Sequence, residues 1–407
     1  MKIALLGYGK EGQASEKYFK EHFDAECKIF TDFDPFEIAK EDFSDYDLVL
    51  RSPSVHPFSA ASSMTAYFFE HCPCKIIGVT GTKGKGTTCS LIESILEALG
   101  HKTYLVGNIG IPSISILDEL DKDCVVVYEM SSFQLWDMKK SPDVSVVVTI
   151  EPDHLNVHGS YEDYTSAKMN IGRWQDPDDY MVYYAKNSES KRIAEASSAQ
   201  KIPYSLDTIE SDILEALYIP GFHNRENAAA AITAVACYLK MDVIDFINTY
   251  RDKIKVGLST FHGLPHRLEF IRSLNGVRYY DDNFSTNPSS TRVAVEAFPN
   301  NSIVMIVGGR DKTNNEDFPE IYKIISAANV KKVVLMGESG HAIFEQFSDE
   351  RFLLAESLDE AIAFARDEAE KLADAVVLMS PSAASFDMFK DVYDRGAQFH
   401  EKIVALE

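Results

Sequence analysis

The chain has 407 residues, 45% hydrophobic and 25% charged, with a formal net charge of -23, a composition that describes a soluble folded protein rather than a disordered or fibrous one. Its length fits two to four domains at roughly 100 to 200 residues each. The negative balance argues against nucleic acid or an anionic membrane as partner, because attraction to either needs a basic surface, so an anionic ligand must find local positive groups.

The first element is a strand, Lys2 to Leu6, running straight into Gly7-Tyr-Gly-Lys-Glu-Gly12 with Asp32 downstream. A strand leading directly into a glycine turn is not a secretory leader, which points to the cytoplasm. The glycines, in GxGxxG spacing, let a diphosphate approach the backbone, a dinucleotide fingerprint of modest specificity when alone. His71-Cys-Pro-Cys74 reads as a linker to a second unit. Cys72 and Cys74 are the only close pair among six cysteines, the others being Cys27, Cys89, Cys124 and Cys237, and without zinc-ligand spacing they read as structural thiols rather than a metal or redox site.

The second unit opens with strand Lys75 to Thr80, then Gly81-Thr-Lys-Gly-Lys-Gly-Thr-Thr88, then Leu91, Ile92, Ile95, Leu96 and Leu99 at helical spacing. This strand, glycine loop and helix let backbone N–H groups converge on phosphate oxygens at a helix N-terminus. Lys85 can neutralise the β- and γ-phosphates, and the hydroxyl of Thr87 or Thr88 can reach a magnesium ion. The loop departs from the strict Walker spacing, because Gly78 comes one residue early and Gly86 separates Lys85 from Thr87. Gly107-Asn-Ile-Gly110 reads as a turn, and the buried run Val125 to Tyr128 delivers Glu129 to a strand end, where ligands bind in open α/β sheets. Glu129 suits a hard cation; alone, it would more often be a solvated charge. The next apolar run, Val144 to Ile150, is strand length, far short of the roughly 20 residues that cross a bilayer, and leads to Glu151-Pro-Asp-His-Leu-Asn-Val-His-Gly159. Gly221 to Asn227 opens an Ala-rich helix, with Asn224 suited to an N-cap. Gly and Pro in Thr260 to Pro265 mark the second break. Beyond it, strands at Ser302 to Val307, Lys331 to Met336 and within Asp374 to Ser380 again end in polar residues. The recurring alternation predicts an α/β protein with largely parallel sheets, in three domains at 1–73, 74–262 and 263–407.

The glycine loop, together with Glu129-Met-Ser-Ser-Phe-Gln-Leu135, Asp153-His-Leu155, His158-Gly159 and Lys168, resembles the Mur ligases, most closely their D-glutamate-adding branch. The resemblance covers essentially the full length. It implies a Rossmann-like first domain binding a UDP-linked substrate through Gly7, Gly9, Gly12, Asp32 and Ser52 of Arg51-Ser-Pro-Ser-Val-His56, with Ser131 and Ser132. It implies a central ATP domain using Gly81, Thr82, Lys83, Gly84, Lys85, Gly86, Thr87, Thr88 and Asn227, with Arg267 on phosphates and Asp282 on the ribose. Asn108 would contact the phosphorylated carboxyl end. Magnesium would be held by Thr87, Glu129, His154 and Lys168, the lysine as a carbamate, so that Lys85, Lys168, His154 and Asn108 form the catalytic set. A Rossmann-like C-terminal domain would take D-glutamate through Thr286, Lys312, Ser385 and Phe386. The implied cofactors are ATP and Mg2+ and the implied substrates UDP-N-acetylmuramoyl-L-alanine and D-glutamate, with no nucleic acid, no membrane and a monomer favoured. Phe284 departs from the resemblance, standing where better-known members have lysine. Competing readings are a folylpolyglutamate synthase, suggested by Gly86, another Mur ligase, a nucleotide-sugar sensor, or a dehydrogenase using the first domain alone.

Overall fold

Three sheets follow one another along the chain. The computed structural model describes residues 1–34 and 37–407. In its first sheet β1 (Lys2–Leu6), β2 (Glu26–Phe30), β3 (Leu48–Arg51) and β4 (Ser62–Ser63) lie in the order β2-β1-β3-β4, all parallel. The helix α1 (Lys10–Phe23) follows β1, and α2 (Met64–His71) leads to the second sheet.

The second sheet is also all parallel, with strands β5 (Lys75–Thr80), β6 (Thr103–Gly107), β7 (Val125–Glu129), β8 (Val144–Val147), β9 (Tyr180–Tyr184) and β10 (Gln200–Tyr204) in the order β10-β9-β8-β5-β7-β6. Parallel strands covered on both faces must be apolar throughout, and β7, Val-Val-Val-Tyr-Glu, is buried at every position. On one face α3 (Lys85–Leu99) buries Leu91, Ile92, Ile95 and Leu96. The helix Phe222–Tyr238 joins the same core through Ala228 to Ala231, fully buried, in the part of the helix that is apolar on nearly every side.

The run Val144 to Ile150 is strand only as far as Val147. Beyond it the chain follows the glycine loop instead, and the Thr149 carbonyl accepts the Thr82 N–H at 2.7 Å.

The third sheet contains β11 (Glu269–Leu274), β12 (Val277–Asp281), β13 (Ser302–Gly308), β14 (Val330–Met336), β15 (Phe352–Ala355) and β16 (Ala375–Met379) in the order β11-β12-β16-β13-β14-β15. Only the β11–β12 pair is antiparallel.

Packing divides the described chain into two bodies, residues 1–217 with 225–261, and residues 218–224 with 262–407. The first body holds the first two sheets and the second holds the third. Helix Val243–Thr260 ends beside the expected break. Residues 218–224, upstream of that break, pack with the C-terminal body, where Tyr218 stacks on His262 at 4.3 Å between ring centroids and meets Phe270 edge-on at 5.9 Å. Among the described residues no helix is long and apolar enough to cross a membrane.

Candidate active site

Strand β5 lies between β7 and β8, so three strand ends meet at one edge of the second sheet. The glycine loop grows from the central one. Gly84 caps α3 at φ +88°, a conformation that favours glycine, and a Cβ there would lie 2.4 Å from the Asn227 Oδ1. Asn227 is therefore packed against the loop. At Gly81 a Cβ would meet Val148 Cγ2 at 2.3 Å. The Thr82 hydroxyl accepts the Glu151 N–H at 2.9 Å and lies 2.8 Å from the Tyr164 hydroxyl, which gives it a structural task. Lys83, half-exposed, pairs with Glu151 at 3.0 Å, and Lys85 curls over the loop to donate to the Thr82 carbonyl at 3.0 Å. Gly86 and Thr87 lie in the first turn of α3. Thr87 is partly exposed, whereas Thr88 is fully buried and its Oγ1 has no partner among the described residues.

Glu129 ends β7 directly opposite Val79 and Gly107. Gly107, at φ +107°, leaves room for the Glu129 carbonyl, which a Cβ would approach to 2.3 Å. Asn108 then binds Glu129 twice, through its N–H to the carbonyl at 3.0 Å and its side-chain amide to Oε1 at 2.7 Å. The asparagine expected to face a substrate carboxyl thus also fixes the carboxylate expected to hold metal.

Lys168, on the helix Tyr161–Arg173, is 2% exposed. Its Nζ donates to the Gly81 carbonyl at 2.8 Å and lies 3.3 Å from the Thr80 hydroxyl, with the Tyr164 ring 4.8 Å away. Burial, reinforced by the Lys85 charge, pushes this ammonium well below the ordinary lysine range, while the Asp153 and Glu129 carboxylates pull the other way. His154, half-exposed at φ +52°, sits 3.5 Å from the Asp153 carboxylate and edge-on to Phe133 at 5.1 Å.

His158, given no role from sequence, is the buried histidine of this edge. Its Nε2 is 2.9 Å from the Ser132 hydroxyl and its ring stacks on Phe133 at 5.0 Å. Burial, then the His154 charge, lowers its pKa. Its spacing of four from His154 was the available signal. The helix α4 (Ser132–Leu135) accounts for both expected substrate serines: Ser131 is its N-cap in a capping box with Gln134, and Ser132 is bound by His158. Their hydroxyls serve internal partners. The Gln134 amide reaches Glu11 Oε1 at 3.1 Å and so ties this segment to the first glycine turn.

Within that turn, Gly7 adopts φ +94° with Ser52 Oγ 2.3 Å from where a Cβ would lie, and a Cβ on Gly12 would meet the Gly7 carbonyl at 2.4 Å. Gly9 differs, since a Cβ there would meet nothing within 4 Å, so its backbone is open to approach. Ser52 Oγ is 2.9 Å from Ser54 Oγ, Asp32 is exposed beyond β2, and Arg51 is fully buried against Asp137 with Nε 3.0 Å from Oδ2. Glu11 is half-buried, desolvation raises its pKa, and its Oε2 has no partner among the described residues.

In the C-terminal body, Arg267 is held between His266 at φ +61° and Leu268 at φ +48°. His266 Nδ1 lies 2.6 Å from Asp281, and the Leu268 N–H donates to Asp282 Oδ1 at 3.3 Å. The Arg267 guanidinium stands 5.2 Å over the Phe284 ring, a cation–π contact where lysine was expected. Asp282 lies in the interior, accepting from the Ser380 hydroxyl at 2.7 Å, and burial raises its pKa to about 7. Lys312 donates to the Thr286 carbonyl at 2.8 Å, which joins those two expected residues. Ser385 is buried and Phe386 is 65% exposed. Arg395, which the sequence reading missed, is fully buried and donates to Asn283 Oδ1 at 2.6 Å and to the Ala383 carbonyl at 3.2 Å, tying the loop of Thr286 to that of Ser385. No periodicity distinguishes such an arginine from a surface one.

Residues 79–216 match the Mur ligase middle domain, and residues 266–383 match the Mur ligase glutamate ligase domain. The UDP-N-acetylmuramoylalanine–D-glutamate ligase of Acetivibrio thermocellus is 34% identical, over 90% of this chain and 84% of its own. That of Caldicellulosiruptor bescii is 31% identical over 98% and 97%. Among solved structures, UDP-N-acetylmuramate-alanine ligase MurC of Thermotoga maritima aligns with a TM-score of 0.59 at 18% identity, over 100% and 99% of the two chains. FolC of E. coli in complex with ADP aligns at 0.58 and 19%, over 84% and 92%. At these identities the structural likeness concerns the fold.

Proposed function

We infer the reaction from one premise: the chain belongs to the Mur ligase family. It ligates D-glutamate to UDP-N-acetylmuramoyl-L-alanine with ATP, through an acyl phosphate, as a step of peptidoglycan precursor synthesis. The observation carrying this reading is 34% identity over 90% of the chain to a ligase of that name. A carboxylate at neutral pH resists attack by an amine because its oxygen cannot leave, and phosphorylation turns that oxygen into a leaving group. Protein groups contribute positioning and charge neutralisation to such a transfer.

In this reading the loop from Gly81 to Thr88 takes the nucleotide phosphates on its N–H groups, and Lys85 swings from the Thr82 carbonyl to the oxygens where charge develops. Asn227, Arg267 and Asp282 complete the ATP set. The donors at the strand edge suit a hard cation: a Glu129 carboxylate held by Asn108, the Thr87 hydroxyl, and His154 on the rim. Magnesium, when bound there, supplies neutralisation of phosphate charge. Lys168 completes the set as a carbamate, for which its amine must first be neutral, and its burial favours that form. Gly7, Gly9, Gly12, Asp32 and Ser52 hold the UDP moiety, with the open backbone at Gly9 the point of approach. Lys312 pairs with a D-glutamate carboxylate, beside Thr286, Ser385 and Phe386. The three domains, 1–73, 74–262 and 263–407, divide these tasks.

The test is ADP release with the candidate substrates varied one at a time. Release requiring both UDP-N-acetylmuramoyl-L-alanine and D-glutamate is expected. Release with a folate substrate, or with another amino acid in preference, would refute the assignment.

A further inference from the structure

We propose that Cys72 and Cys74 form a reactive dithiol that closes reversibly to a disulfide. The sequence Cys72-Pro73-Cys74 builds the geometry. A residue before proline is driven to extended backbone, and Cys72 has φ -67° and ψ 121°. In extended chain, residues two apart point to the same side, and the two Sγ atoms stand 3.6 Å apart. The Cα atoms of such a pair are about 6 to 7 Å apart, at the upper end of the roughly 4.4 to 6.8 Å that a disulfide spans. Closure is thus within reach of small backbone movement.

Both sulfurs are half-buried, whereas Cys89, Cys124 and Cys237 are buried. A hydrogen bond from the Cys74 thiol, aided by the Lys140 charge, lowers the Cys72 pKa, and the Cys74 thiol is raised in return. Burial works against this lowering at Cys72, and it is the main cause that raises Cys27, Cys89 and Cys237. Cys72 is therefore the attacking sulfur. A metal site is the weaker alternative, because the one cluster of three potential ligands among the described residues is His266, Glu269 and Asp281, elsewhere in the chain.

The oxidant is a low-molecular-weight disulfide such as oxidised glutathione. The Cys72 thiolate attacks one of its sulfurs and expels one glutathione thiolate. The Cys74 thiolate then attacks the Cys72 sulfur of the mixed disulfide and expels the second. Two electrons pass from the protein to glutathione, and the two thiol protons end on the released thiols. The pair stands between α2 and β5, at the opposite end of β5 from the glycine loop, so closure cross-links the chain joining the first two sheets without touching a residue of the proposed catalytic set.

The full-length protein, incubated with excess oxidised glutathione, should have an intact mass lower by two hydrogens, and on subsequent alkylation should take up two fewer labels, both missing from the peptide holding Cys72 and Cys74. Dithiothreitol should restore it. Cys72→Ser should carry at most a glutathione adduct on Cys74 and never the internal bond. Phenylarsine oxide, which bridges neighbouring thiols, should bind the protein one to one and lose that binding in both Cys72→Ser and Cys74→Ser. A wild-type protein that retains all its thiols, that stops at a mixed disulfide, or that binds the arsenical equally in either variant overturns the proposal.

Discussion

Replacing Lys168 by methionine separates a functional buried amine from a structural one. Methionine matches the length of the stem and removes the polar head, so the core stays filled. The loss is the hydrogen bond to the Gly81 carbonyl at 2.8 Å and the longer contact to the Thr80 hydroxyl at 3.3 Å, at about 0.5 to 1.5 kcal/mol each. The gain is relief of desolvating an ammonium, about 1.4 kcal/mol for every unit of depression. The two oppose, so any loss of unfolding free energy should not exceed about 3 kcal/mol, the sum of the two contacts. For the lysine before carbamylation, the sign with pH follows from linkage. With the folded pKa depressed, the unfolded chain binds the extra proton. Wild-type stability therefore carries its full penalty below the depressed folded value and recovers as pH rises toward the ordinary lysine value of about 10.4. Lys168→Met lacks that slope. Turnover, followed as ADP release, should fall by about 10² or more, by analogy with removing a preorganised charge-stabilising group. Urea melts at several pH values and ADP release on the same sample test both parts. Near-wild-type turnover, a loss above about 4 kcal/mol, or a pH-independent stability gap would refute the reasoning.

Lys85→Ala should lower turnover by about 10² with an unchanged circular dichroism spectrum, and undiminished turnover would remove Lys85 from phosphate stabilisation. Gly84→Ala combines left-handed strain, about 1 to 2 kcal/mol, with a Cβ 2.4 Å from Asn227 Oδ1, so it should weaken binding of an ATP analogue as well as stability. Gly100→Ala, at φ +93° with nothing within 4 Å, should show the strain alone, and equal nucleotide affinity in the two variants would contradict the contact. Asp282→Asn should flatten the pH dependence of stability: with the folded pKa raised to about 7, this carboxyl stabilises the fold fully below about pH 4 and loses that contribution as pH rises through 7, at most about 4 kcal/mol in all. An unchanged urea-melt slope between these pH values would show that Asp282 is not the group responsible.

The starts of β5, β7 and β13 were legible because fully buried parallel strands are written as unbroken apolar runs, and the glycine loop was legible because its positive-φ turn and its close packing leave glycine little substitute. The length of β8 was not, since Val148 to Ile150 remain apolar while their backbone turns to serve Thr82. Side-chain partners were less visible than positions. Ser131 and Ser132 follow β7, and their hydroxyls close a capping box and a histidine contact, which depend on three-dimensional neighbours. Asp282 carries a carboxyl in a place that only burial reveals. Arg395 was missed, and His158 was left without a role, for the same reason: a charged residue type is read as surface unless the fold supplies its partners. The Phe284 departure, by contrast, acquires a physical content in the structure, as the aromatic face beneath Arg267.

The strip from Tyr218 to Asn224 bears on any attempt to cut the protein in two. A break at the Gly and Pro residues after Thr260 looks natural, but a C-terminal fragment starting there would lack the ring that stacks on His262 and meets Phe270 edge-on. The excised piece would expose aromatic surface and lose part of its own packing. Supplying residues 218–224 by fusion ahead of residue 262, or as a separate peptide, should restore it, making this strip a ready complementation tag for the C-terminal body.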